Sequence, residues 1–433
     1  MKHGDGGTNQ MRRRNFLQAG ALAAVRVHAQ TPAGRGADSQ PRKRLAAIVH
    51  AYRMHSEADN IVTRFLQGYY IGDDYHQPAC DIASLYVHET PVDDIGHRLS
   101  QAYRFPVTKS IPDALMLGTG SLAVDGVLLV CDAEETRSER DLRSEFFQQV
   151  LDVFRRSGRS VPLFCAGYLA EDWDRAQEMV RQSQQMGFAM LAGASAPVTF
   201  RRPPLDYPLV SGFDDRPLGD TAPPKYPLGV DFAEALILLP NGSLVAGLFP
   251  GLEVMQSFLE RRKAGERGIR SVQHLVDESV WRAAEAGRWS KELMQAALLR
   301  ADRAGQERPE DVKHPSVWLV EYNDDTHAAA LSLGGLVSEY IAAFRVRGRR
   351  EIDTTLCYVP PGSRNDYSML VHGVSQMVLT GKAPYPVERT LLTTGVLAAL
   401  RKQPVTGAKI ETPELAISYN APEHSFYAPG RGW

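Results

Sequence analysis

The residues best able to do chemistry in this 433-residue chain stand directly after short apolar runs. His50, Tyr52, Arg53 and His55 follow Leu45-Ala46-Ala47-Ile48-Val49, and Glu89 follows the run that ends at Val87. Asp132, Glu134 and Glu135 follow Gly126–Cys131, and Tyr168 follows Val161–Cys165. A polar floor made of such side chains suits an anionic or sugar-like ligand. His50 and Tyr168 are the candidate proton-transfer groups, and an acid such as Asp132 can hold a sugar hydroxyl. Each has an ordinary reading beside the functional one. The turn from His50 to Asn60 can be a polar loop with one salt bridge, and acids after a strand are commonly solvated. Two histidines without a third local ligand do not make a metal site, so no metal is expected.

The elements that must position these residues are legible. Three apolar runs, at 126–131, 161–165 and 188–193, alternate with two amphipathic segments, Arg143–Arg156 and Glu171–Met186. That alternation predicts parallel strands buried on both faces by crossover helices. Strands at Arg44–Val49 and Asp81–Val87 and helices at Asp94–Tyr103 and Ile111–Leu117 extend the same sheet. Ligands of such sheets bind beyond the carboxyl ends of the strands, where the candidates lie. After Arg202 the texture changes. A Pro-rich passage spans Pro203–Pro227 and reads as an ordered arm or lid. Phe232–Leu239, the Asn241-Gly242 turn and Ser243–Leu248 read as a hairpin. Helices are expected at Leu252–Lys263, Asp277–Ala286, Lys291–Ala301, Tyr367–Leu379 and Val387–Leu400, with an antiparallel meander from Val317 to Val359.

Size and composition set the bounds. Two domains are the natural prior for this length. A charged content of 23% and a net charge of −2 give no field that would recruit nucleic acid or an anionic membrane. The four cysteines, at 80, 131, 165 and 357, show no metal-type spacing and no disulfide framework. Arg12-Arg13-Arg14-Asn15-Phe16-Leu17 matches the twin-arginine export pattern, with an apolar run at Ala19–Val25 and a Val27-His28-Ala29 cleavage site. The expected order is a signal peptide at 1–29, a linker at 30–42, an α/β domain at 43–195 and an α+β domain at 196–433. The mature chain is expected to be periplasmic or otherwise exported, with no membrane span.

This order of elements resembles the Gfo/Idh/MocA family, the relatives of glucose–fructose oxidoreductase and inositol dehydrogenase. The likeness runs over roughly residues 43–415 and rests on Leu191–Arg201 (LAGASAPVTFR), Leu252–Lys263 (LEVMQSFLERRK) and Pro384–Leu392 (PYPVERTLL). It implies a Rossmann-like parallel-sheet domain followed by an α+β domain with an open antiparallel sheet. It also implies NAD or NADP as cofactor, a sugar or polyol as ligand, and a homo-oligomer assembled through the antiparallel sheet. Under it, His50, Tyr52, Arg53, His55, Glu89 and Asp132 are the cofactor-binding candidates, with Glu89 placed where an acid holds the ribose.

Three features of the resemblance are missing. The first strand-to-helix turn, His50–Asn60, contains none of the glycines that let a pyrophosphate approach the backbone. The residues after Cys165 are Ala166-Gly167-Tyr168-Leu169, with no lysine, so Tyr168 is the substitute candidate there. Where the family carries a histidine, the text reads Gly247-Leu248-Phe249-Pro250-Gly251-Leu252-Glu253. Two readings follow: an exported oxidoreductase that holds nicotinamide in an unusual way, or a non-redox binding protein or partner subunit of an active relative. Ser195 has no His/Asp partner nearby in sequence, Arg201, Arg202 and Arg389 read as structural, and the basic run Arg345–Arg350 reads as solvated.

Overall fold

The computed structural model describes residues 41–131, 141–206, 225–301, 307–358, 365–402 and 407–429. The twin-arginine segment, Asp132, Glu134, Glu135 and most of the Pro-rich passage lie outside the described residues. Arg42–Trp433 form one compact unit.

Six strands make a parallel sheet in the order Val107–Thr108, Cys80–Val87, Lys43–Val49, Gly126–Val130, Leu163–Ala166, Met190–Gly193. The last three of these are buried along their whole length, as strands with helices on both faces must be. Helix ends fall where the sequence supplies caps. Asp141 accepts from the Ser144 amide to open Leu142–Ser157, and Asp172 accepts from the Asp174 and Arg175 amides to open Trp173–Met186. The chain runs outward from Lys43–Val49 to Val107–Thr108 and returns on the other side at Gly126–Val130. The crevice of such a sheet opens beyond the carboxyl ends of those two central strands.

The second sheet has eight strands, in the order Lys409–Glu411, Ile269–Val276, Ser316–Tyr322, His327–Ser332, Phe232–Leu239, Tyr340–Val346, Ile352–Tyr358, Phe200–Arg202. Every neighbouring pair is antiparallel except Phe232–Leu239 with His327–Ser332, which is parallel. The fold class is therefore as the sequence reads, with two corrections of detail. Phe232–Leu239 does not fold back on Ser243–Leu248. Ser243 caps a helical turn at Leu244–Leu248 that runs on into helix Phe249–Leu259, with Pro250 in its first turn. The meander is interrupted, because Phe232–Leu239, apolar toward both faces, takes the central place between its second and third strands.

Alternate residues of that central strand serve two cores. Ala235, Ile237 and Leu239 pack with Leu252, Met255 and Phe258 of helix Phe249–Leu259. Leu236 and Leu238 pack with Val280, Leu293 and Met294 of helices Glu278–Glu285 and Lys291–Leu298. Both faces of this central strand are thus packed against helices of the chain itself. Helix Asp366–Thr380 returns to the parallel sheet, where Met369, Leu370 and Val374 join Leu45, Val49 and Phe65 in one core. All four cysteines are buried thiols.

Candidate functional site

The candidates divide between the carboxyl edge of the parallel sheet and its surroundings. His50 sits in the sheet line itself. Its amide donates to the Val130 carbonyl at 3.0 Å, and its own carbonyl accepts from the Glu89 amide at 2.8 Å. The imidazole is buried, stacks on His88 at 5.9 Å between ring centres, and brings Nε2 to 3.5 Å from Glu89 Oε1. Two residues singled out from sequence, His50 and Glu89, are therefore partners at this edge.

The turn after His50 is not built for a phosphate. Tyr52 does not face the crevice: its ring is buried in the core, with its hydroxyl 2.9 Å from Thr63 Oγ1. Burial pushes that phenol far above its ordinary value, so Tyr52 leaves the set of cofactor-binding candidates. Arg53 turns toward the neighbouring loop, with Nε 3.3 Å from Asp93, and its carbonyl accepts from Ser56. His55, at φ +66°, is exposed and lines an outer cleft of about 430 Å³ together with Asp59, Arg64, Tyr69 and Arg98. It does not join His50. Helix Glu57–Gln67 begins with Ser56 accepting from the Asp59 amide, and Asp59 accepts from the His55 amide at 2.8 Å. Its first turn carries Glu57 and Asp59, whose negative charge opposes an incoming pyrophosphate at the end where a helix would attract one. Asp132 lies outside the described residues.

Tyr168 is held at the end of strand Leu163–Ala166. Its hydroxyl donates to Glu171, and Glu171 pairs with Arg401 at 2.6 Å. The guanidinium groups of Arg143 and Arg401 lie over its ring at 4.2 and 4.8 Å, and Phe249 meets it edge-on. The Leu169 amide donates to Thr394 Oγ1, so the turn that would carry the family's lysine is fixed by the C-terminal helix Val387–Lys402. Arg143 projects from helix Leu142–Ser157 and donates to the Cys131 carbonyl at 2.5 Å.

Helix Phe249–Leu259 brings one acid to the same sheet. Glu253 is fully buried, accepts from Thr393 at 2.7 Å and Thr390 at 3.3 Å, and lies against Gly193. Burial outweighs these donors and lifts its carboxyl from the ordinary 4.5 to about 7. Sequence reasoning passed over Arg143, Glu171, Arg401 and Glu253. The available signal was at Arg143, a basic residue in the first turn of a helix, where acids are the rule. Ser195 donates to Asp366 at 2.7 Å and serves to tie two elements together.

Among solved structures, the chain is similar to scyllo-inositol dehydrogenase from Lactobacillus casei, with 10% identity, 86% of this chain and 99% of that chain covered, and a TM-score of 0.53. It is also similar to GenD2 from gentamicin A biosynthesis in complex with NAD, with 15% identity, 88% and 99% covered, and a TM-score of 0.50. No protein-family model and no curated protein matches the sequence. At these identities the likeness establishes the fold: this chain has the two-sheet architecture of those dehydrogenases, as the Gfo/Idh/MocA resemblance implies.

Proposed function

We propose that this chain is an oxidoreductase-fold protein that binds a sugar- or polyol-type ligand at the carboxyl edge of its parallel sheet, without the usual dinucleotide site. The observation that carries this reading is the first turn. Its helix terminus is capped by Ser56 and Asp59 and bears two carboxylates, and no glycine opens the backbone to a pyrophosphate. Hydride transfer to nicotinamide also needs a group that takes the hydroxyl proton. The lysine and histidine of the family are replaced by Gly167-Tyr168 and by Phe249-Pro250.

Calorimetry on the full chain with NAD, NADH, NADP and NADPH, then with glucose and myo-inositol, tests the proposal. The expected result is no nicotinamide affinity tighter than about 100 μM, roughly 5.5 kcal/mol, alongside measurable binding of a sugar or polyol. Tighter nicotinamide binding by a protein that melts cooperatively overturns it. A second reading, an active dehydrogenase, is favoured by Tyr168, whose hydroxyl is paired with Glu171 and whose ring lies under two guanidinium groups. Under that reading Tyr168→Phe abolishes turnover and leaves nicotinamide affinity intact.

A further inference from the structure

The outer cleft is built from one side of helix Glu57–Gln67. Asp59, Thr63 and Gln67, and beside them Asn60 and Arg64, recur at steps of four residues and so form two adjacent rows that line it. Ile95, Arg98 and Leu99, from the start of helix Gly96–Tyr103, supply another wall by the same periodicity. The hairpin of strands Tyr69–Ile71 and Asp74–His76 adds a third. It can fold back onto the helix end because residue 68 is a glycine. Gly68 ends the helix at φ +78°, its amide donating to the Arg64 carbonyl, and a methyl group there would stand 2.8 Å from the His76 carbonyl oxygen. The fold-back is tied by the Tyr75 hydroxyl, which donates to the Gln67 carbonyl at 2.7 Å, and the Tyr75 ring stands 5.3 Å from that of Tyr70.

The lining combines open apolar surface with excess positive charge. Met54 and Tyr70 are 59% and 52% exposed, so an aromatic ring and a thioether border polar groups around a volume of about 430 Å³. That size and that mixture are usual for small-molecule sites, which span roughly 300–1,000 Å³. Arg64 and Arg98 bring fixed positive charge, and His55 joins them from a backbone conformation that costs a non-glycine residue, φ +66°. Asp59 is the carboxylate of this lining, and it is already occupied: one oxygen accepts from Thr63 Oγ1 at 2.6 Å and the other from the His55 amide at 2.8 Å. A ligand entering the cleft therefore meets guanidinium donors and a tyrosine face.

We infer that this cleft is a second ligand site, for a sugar-sized ring that carries an acid group, a carboxylate or a phosphate. Arg98 and Arg64 hold the acid, and Tyr70 packs against the ring. A planar guanidinium matches a carboxylate or phosphate edge in two parallel hydrogen bonds, and the exposed tyrosine face covers the apolar side of the ring. The inference goes beyond the function proposed above, since none of His50, Glu89 and Tyr168 lines this cleft.

The test is calorimetry on the full chain with D-glucuronate, glucose 6-phosphate, neutral glucose and inorganic phosphate, repeated on Arg98→Gln, Arg98→Lys and Tyr70→Ala. Arg98 and Tyr70 are exposed, so all three variants are expected to melt with the wild type. The wild type is expected to prefer glucuronate or glucose 6-phosphate over glucose by about 10- to 100-fold, the range that a hydrogen bond to a charged group supplies. Which anion binds more tightly tells a carboxylate from a phosphate ligand. Arg98→Gln loses the preference and Arg98→Lys keeps part of it. Tyr70→Ala weakens the preferred anion by about 3- to 10-fold. A wild type that binds neither anion, or binds both no more tightly than glucose, overturns the inference. So does a preference that survives Arg98→Gln, an affinity unchanged in Tyr70→Ala, or inorganic phosphate bound as tightly as glucose 6-phosphate. Glucose binding that is the same in the wild type and all three variants, with no preference for the anions, overturns the inference and leaves the proposed function standing.

Discussion

Glu253 sets a pH dependence of stability that can be worked through. Its carboxyl is fully buried, and burial raises it from 4.5 to about 7 despite the hydrogen bonds from Thr393 and Thr390. The unfolded chain releases this proton near 4.5 and the folded chain near 7, so the folded state holds more protons between those values. Stability from this group is therefore complete below about pH 4.5 and is lost as pH rises toward 7. At about 1.4 kcal/mol per pH unit the full effect is about 3 kcal/mol, of which about 2.5 kcal/mol falls between about pH 5 and 8. Glu253→Gln keeps the shape and cannot titrate. Urea unfolding of both proteins at about pH 5, 6, 7 and 8 gives the difference in stability, from which titrations common to the two cancel. The variant should gain about 2.5 kcal/mol on the wild type across that range, with little further change above pH 7. A difference that stays flat to within about 0.5 kcal/mol refutes the reasoning, whatever its absolute size.

Two further substitutions probe the contact between the sheets. Gly193→Ala places a methyl group against Glu253 Oε2 at a φ of +125°, and should lower the unfolding free energy by about 3 kcal/mol, read from the urea midpoint. Arg389→Met strands the buried carboxylate of Glu260, which Arg389 now holds at 2.6 and 2.8 Å, and should cost about 3–5 kcal/mol in the same assay. Adding Glu260→Gln to Arg389→Met should recover part of that loss.

The parallel sheet was legible because its strands are short apolar runs closed by small or polar residues, such as Leu163–Ala166 before Gly167. Its helices were legible as amphipathic segments, and the structure adds their caps: Asp141 and Asp172 at the start and Gly158 and Gly187 at the end. The second sheet was harder. Strand Ile269–Val276 carries Arg270, Gln273 and His274, so its polar residues hide the alternation, and Gln273 Nε2 donates to the distant Gly407 carbonyl. Asn241-Gly242 looks like a hairpin turn, yet Asn241 Oδ1 accepts from the Ser243 amide and Ser243 then caps a helix. Position in sequence put His50 and Glu89 beyond strand ends, and the structure brings them together at the sheet edge, one or two residues past strands Lys43–Val49 and Cys80–Val87. It misplaced Tyr52, since nothing in the sequence says that its ring would find a core pocket over Gly96. Arg143 looked like one more polar residue on an amphipathic helix, and its burial over the Tyr168 ring, donating to the Cys131 carbonyl, is a fact of three-dimensional packing alone.

Helix Phe249–Leu259 decides how much chemistry the second domain can bring to the crevice. A helix that meets a ligand edge-on would leave a polar face open, but this one is buried all round, with Glu253, Gln256, Ser257 and Glu260 beside its apolar residues. Such a helix must satisfy its polar groups internally, and it does. Glu253 is spent on Thr390 and Thr393, Gln256 on Glu266, Tyr322 and Tyr419, and Glu260 at its end on Arg389 and Tyr419. Its contribution at the sheet edge is Phe249, an apolar ring against Tyr168. Among the described residues, the groups near this edge that could accept a proton are Glu253, which has no exposure, and His50 and Tyr168 on the parallel-sheet side. This helix therefore brings an apolar ring to the sheet edge, and its one carboxylate stays buried.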